Sequence, residues 1–152
     1  MKIIDMMKPG YVIEELQAKT KRDVLAELSS LFLLDLQGDP EEMVSILLER
    51  EKLGSTGIGD GIAIPHGKMS TMKDLVVAFG RSRKGIDFNA MDGKPVHLFF
   101  LLMAPENSAG IHLKALAKIS RMLKDGAFRK RLLDASSRQE LLAAIMEKDE
   151  IP

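Results

Sequence analysis

Residues 54–68, GSTGIGDGIAIPHGK, hold five of the chain's twelve glycines and one of its three histidines, His66. Glycines leave backbone N–H groups free to turn into a shared space, and such concavities bind anions. A histidine behind a proline, at the end of a short strand beside that loop, is placed for phosphate chemistry. The plainer reading is a tight turn with a solvent-facing imidazole. Two nucleotide templates fail on inspection. GIGDGI runs G-x-G-x-G and then has Ile62 where the dinucleotide fingerprint needs its third glycine, while Gly61 and Gly67 have five residues between them where the P-loop needs four, and Lys68 is followed by Met69 where it needs Ser or Thr.

Other residues decide between the two readings. His112 shares a helical stripe with Leu116, Ile119 and Leu123, in a first turn where the helix dipole disfavours an imidazolium and welcomes an anion. It is either a neutral partner of a phosphate or a satisfied core histidine. Arg50 ends a helix on the stripe of Met43 and Leu47, where its guanidinium could fork onto a phosphoryl group or complement the helix C-terminus. Ser55 and Thr56 could donate hydroxyl hydrogen bonds to the same anion, or serve as turn residues. The N–H groups of Gly57, Gly59 and Gly61 complete the candidate cradle. His97 opens a strand with no arginine or glycine beside it and is read as structural. Histidines 31 and 15 positions apart give no metal-ligand spacing. No G-x-S-x-G nucleophile elbow exists to make His66 the base of a hydrolase.

Composition narrows the class. The 152 residues suit one compact domain, and 45% hydrophobic with 29% charged residues describes a globular chain. Lys plus Arg and Asp plus Glu both number 22, so no net positive field gathers nucleic acid. Cysteine is absent, which excludes disulfides and thiolate chemistry. The longest apolar run, VHLFFLLMA, is too short to span a bilayer, and the charged N-terminus has no signal-peptide core, so a cytoplasmic protein without membrane insertion is expected.

The positioning elements follow from periodicity. YVIEEL, GIAIPH, DLVVAFGRSR and KPVHLFFLLMAP read as strands, the last buried on both faces, with a turn at Asp92-Gly93 before it. Thr20 opens one helix, and Asp39-Pro40-Glu41-Glu42 starts a second with an N-cap acid and proline in the first turn. Beyond Asn107 the chain is helical: Ile111 to Lys124, Ala127 to Ala135, and a last helix announced by a Ser137-x-x-Glu140 capping box. The expected fold class is α/β, residues 1–152 as a single domain. It has a mixed β-sheet of about five strands flanked by helices and a helical C-terminal third. Strand order is not readable from this pattern.

REKLGSTGIGDGIAIPHGK, followed about 45 residues later by HLKALAKISRML, resembles the IIA components of the phosphoenolpyruvate-dependent sugar phosphotransferase system. The likeness is to the fructose/mannitol class and above all to its nitrogen-regulatory members, and it spans nearly the whole chain. The resemblance implies that His66 accepts a phosphoryl group from phosphohistidine on HPr or a nitrogen-branch equivalent. It also implies that His112 and Arg50 line the site. Without a base or a metal, a mostly neutral imidazole, of ordinary pKa about 6.5, would attack phosphorus directly. Arg50, His112, the Ser55 and Thr56 hydroxyls and the loop N–H groups would hold the equatorial oxygens. No cofactor is implied. A chain with no cysteine and no membrane span holds neither IIB nor IIC, so its phosphate would either act as a signal to regulated proteins or pass to a separate IIB for sugar uptake. A module that binds an anion or partner without covalent turnover is the remaining alternative.

Overall fold

The computed structural model describes residues 1–35 and 39–151. Among these, hydrophobic patterning resolves into six strands and five α-helices. In chain order they are β1 (Val12–Ile13), α1 (Lys21–Ser30), α2 (Pro40–Lys52), β2 (Gly57–Gly59), β3 (Ile62–Ala63), β4 (His66–Lys68), β5 (Val76–Ile86), β6 (Val96–Ala104), α3 (Ala109–Lys124), α4 (Gly126–Asp134) and α5 (Arg138–Glu150).

The sheet is mixed, in the order β1-β5-β6-β3-β2, with β4 also paired to β6. β6 runs antiparallel to β5 and parallel to both β3 and β4. Its near-continuous apolar sequence follows from burial on both faces. Leu98, Phe100 and Leu102 pack with Ile119 and Leu123 of α3, Leu132 of α4 and Ile145 of α5. Phe99, Leu101 and Met103 pack with Leu25 and Leu28 of α1 and Met43 and Leu47 of α2. Each such side chain contributes about 1.5–3 kcal/mol of transfer free energy, so both helical layers are pinned to the one strand that carries the site's neighbours.

Local chemistry sets the helix ends. Thr20 accepts from the Asp23 N–H at 3.1 Å and Asp39 from the Glu41 N–H at 3.0 Å. The last helix departs from the reciprocal box: Ser137 Oγ accepts from the Glu140 N–H at 3.1 Å, but the Glu140 carboxylate takes the N–H and hydroxyl of Ser136 instead of the cap residue's own N–H.

Three strand expectations change. YVIEEL forms a regular ladder only at Val12 and Ile13: Tyr11 lies in a 3₁₀ turn, and beyond Ile13 the Leu16 N–H bonds Arg81 O of β5 at 2.7 Å outside that ladder. GIAIPH splits into β3 and β4 at Pro65, which has no N–H to extend a ladder and contributes only its carbonyl, to Leu102 N at 3.0 Å. The glycine segment itself supplies β2, antiparallel to β3, in a mixed sheet of six strands, in keeping with the expected fold class.

Candidate functional site

The short strand β4 carries His66 beside Leu102 of β6, and α2 lies across it. That approach is close because residue 67 is glycine: a Cβ there would come within 2.8 Å of Ile46 Cγ2. Packing of α2 on β4 brings Arg50, in the last turn, against the His66 ring. From the opposite layer the first turn of α3 delivers His112, whose ring meets that of His66 edge-to-face, centroids 5.5 Å apart at 87°. An open depression of about 460 Å³ is lined by Ile46, Glu49, Arg50, Leu53, His66, Gly67, Lys68 and His112.

The His66 ring is oriented at both nitrogens. Nδ1 lies 2.8 Å from the carbonyl oxygen of Ile64, and a carbonyl can only accept, so Nδ1 carries the proton in the neutral ring. Nε2 therefore presents its lone pair, and it accepts from Arg50 Nε at 3.3 Å. Arg50 is held a second time by Nη1 donating to Gly54 O at 2.9 Å. Burial pushes the His66 pKa below the ordinary 6.5, with the Arg50 charge acting in the same direction; the Ile64 carbonyl and the Glu51 charge act against them. The ring is neutral at physiological pH, with its lone pair on Nε2 and the side chain lining the depression.

His112 is 5% exposed, and its Nδ1 is buried with no hydrogen-bond partner among the described residues. Burial first, then the charges of His66 and Lys68, push its pKa down to about 4. A histidine whose folded pKa is depressed stays neutral in the fold while the unfolded chain takes up its proton. Its contribution is thus complete above about 6.5 and is lost as pH falls toward about 4, a loss on the order of 3 kcal/mol. In urea titrations across that window, His112→Gln is expected to lose less stability than the parent on acidification. Parallel profiles would show that His112 does not govern this limb.

The other cradle candidates lie elsewhere. Ser55 Oγ donates to Phe88 O at 2.7 Å and accepts from Gly57 N at 3.0 Å, which closes its own turn. Thr56 is buried, with its hydroxyl given to the Glu51 carboxylate. Gly57 packs against Ala90, Gly59 (φ +100°) faces Asp92, and Gly61 (φ +75°) faces His97. These glycines build the β2–β3 hairpin, in which Asp60 also has positive φ, and none of them lines the depression. His97 bonds through Nδ1 to Ser82 O at 2.9 Å.

Lys68 was missed by the reading of the sequence, although a signal existed. Strand alternation puts residues i and i+2 on one side, so a strand that offers His66 offers Lys68 with it. Leu53, 84% exposed, borders the depression, and Ile111 and Leu113 stand exposed on the turn of α3 that carries His112.

A family model described as "Phosphoenolpyruvate-dependent sugar phosphotransferase system, EIIA 2" matches residues 5–148. The chain belongs to this EIIA family. A nitrogen regulatory protein of Bradyrhizobium diazoefficiens is 40% identical over 146 residues, covering 95% of each chain. The fructose-specific EIIABC component of Bacillus subtilis is 36% identical over 152 residues, which cover 98% of this chain and 24% of that one. The crystal structure of the nitrogen regulatory protein IIA-Ntr from Neisseria meningitidis superposes with a TM-score of 0.87 at 34% identity, covering 93% of this chain and 97% of that one. As an EIIA, the chain is a phosphotransfer component, and its mixed sheet with C-terminal helices is the IIA-Ntr fold. Among the described residues, no helix is long and apolar enough to cross a membrane.

Proposed function

We propose that this EIIA is a phosphohistidine carrier in which Nε2 of His66 accepts a phosphoryl group from phosphohistidine on HPr or a nitrogen-branch equivalent. The observation that carries the reading is the locked ring. Nδ1–H is committed to Ile64 O, so the ring's one available lone pair is on Nε2, where Arg50 bonds it until the guanidinium shifts onto the arriving phosphoryl oxygens. In the transfer that electron pair becomes the new N–P bond, and the pair of the donor's N–P bond returns to the donor's ring. No proton has to move. The positive charge left on the His66 ring is stabilised by the Ile64 carbonyl, and the arriving phosphoryl oxygens meet Arg50 and Lys68.

The exposed apolar side chains of Leu53, which lines the depression, and of Ile111 and Leu113, which flank His112 in sequence, suit docking of a protein donor, whose own histidine must come in line with Nε2. Phosphorylation state would then serve as a signal to regulated proteins, a reading supported by the near full-length match to nitrogen regulatory relatives. A separate IIB as the next acceptor is the second reading, favoured by the likeness to a chain that carries A, B and C components together.

Incubation with phosphoenolpyruvate, enzyme I and HPr is expected to give a protein species carrying acid-labile phosphate. Absence of covalent phosphate, with inorganic phosphate still raising the melting temperature, would replace the carrier with an anion-binding module.

A further inference from the structure

Behind Arg50 lies a carboxylate that faces away from the depression. Glu51 is 8% exposed, and its carboxylate accepts from the Thr56 N–H at 3.2 and 3.3 Å and from the Thr56 hydroxyl. Lys21, at the start of α1, lies 2.9 Å from it and sits over the Phe88 ring at 4.6 Å. Buried carboxylates are unfavourable unless paired and hydrogen-bonded, and here the charge and the acceptor lone pairs are both used. What the arrangement accomplishes is local. Residues 53 to 56 form the turn from α2 into β2, and Glu51 draws Thr56 back onto the helix end. The turn also carries Gly54, at φ +144°, whose N–H bonds Glu51 O at 3.1 Å and whose carbonyl bonds Arg50 Nη1 at 2.9 Å. With the other edge of the guanidinium on His66 Nε2, Arg50 is suspended between the nucleophile and a carbonyl whose place the Glu51 clasp determines.

We propose that Glu51, clasped by Lys21 and Thr56, is a positioning residue for phosphoryl transfer, acting through the Gly54 carbonyl to hold Arg50 against Nε2 of His66. The proposal rests on the carrier reading of His66 for its kinetic consequence but not for its geometry. Glu51 is adjacent to Arg50 in sequence, yet it bonds Thr56 and Lys21 rather than lining the depression, so besides its charge, which raises the His66 pKa, it acts through the residues it arranges.

The test is a double-mutant cycle on the transfer rate from phosphorylated HPr, joined to ¹⁵N NMR of the histidine rings. Glu51→Gln is expected to slow transfer roughly tenfold in the parent and by less than about twofold in an Arg50→Ala background, because the clasp has nothing left to position there. Thr56→Val, which removes only the hydroxyl's bond, is expected to show the same dependence on Arg50 with a smaller loss, and serves if Glu51→Gln folds poorly. The His66 Nε2 resonance should move in both variants in the direction seen for Arg50→Ala. Equal slowing in the two backgrounds would overturn the proposal, as would an unmoved Nε2 resonance. If the parent takes no phosphate at all, the carrier reading fails by itself, and the NMR arm still decides whether Glu51 holds Arg50 on His66.

Discussion

His66→Ala is expected to leave no acid-labile phosphate after incubation with phosphoenolpyruvate, enzyme I and HPr, while the protein stays folded. The loss should be complete because neither of the other rings can substitute. His97 is bonded to Ser82 O and does not line the depression, and His112 is 5% exposed with its Nδ1 buried. Stability should change little. The ring of His66 makes a hydrogen bond to Ile64 O and one to Arg50, worth about 1 kcal/mol each, and Arg50 borders an open depression where water replaces the imidazole. Circular dichroism and mass spectrometry on one sample separate the two outcomes. Phosphate persisting at the parent's level would place the acceptor elsewhere.

Arg50→Ala should carry the second largest effect, a transfer rate lower by roughly 100-fold, the scale of removing one preorganised donor from a developing anion. The guanidinium donates to Nε2, so it lies within one hydrogen bond of the position that the phosphorus would occupy under the carrier reading. A second signature distinguishes this role from a passive one. Arg50 lowers the pKa of His66, against the opposing charge of Glu51 and beside the neutral His112 ring. Its removal therefore raises that pKa, so the neutral, nucleophilic ring is lost at a higher pH. The acid limb of the rate profile is expected to shift upward in Arg50→Ala. A rate within about twofold of the parent's, or a limb that stays in place, would contradict the assignment.

Arg50, His66 and His112 were legible in the sequence for different reasons. His66 stood out through the P-H pair after the glycine segment, and the two others through stripes whose apolar members, Met43 and Leu47 or Ile119 and Leu123, also had to face the sheet. A polar residue on such a stripe at a helix end is carried to the sheet's edge, where the structure places all three around one depression. The expected loop cradle rested on composition alone. Glycine content reports backbone freedom but not what uses it, and here positive φ at Gly59 and Gly61 bends a hairpin. Ser55 and Thr56 could be assigned to a phosphate or to the fold equally well by type. Only tertiary contacts with Phe88 and Glu51 show which bonds they make. Strand order stayed hidden because β3 and β4 are two and three residues long, held in place by β6 rather than by any pattern of their own.

The central claim is the acceptor atom. With the protein phosphorylated from phosphoenolpyruvate, the ³¹P–¹⁵N couplings in a histidine-labelled sample identify the nitrogen bonded to phosphorus. The expected result is a single phosphohistidine, at Nε2 of His66, with the proton retained on Nδ1 and donated to Ile64 O. Phosphorus on Nδ1 of His66, or on the ring of His112 or His97, would contradict it.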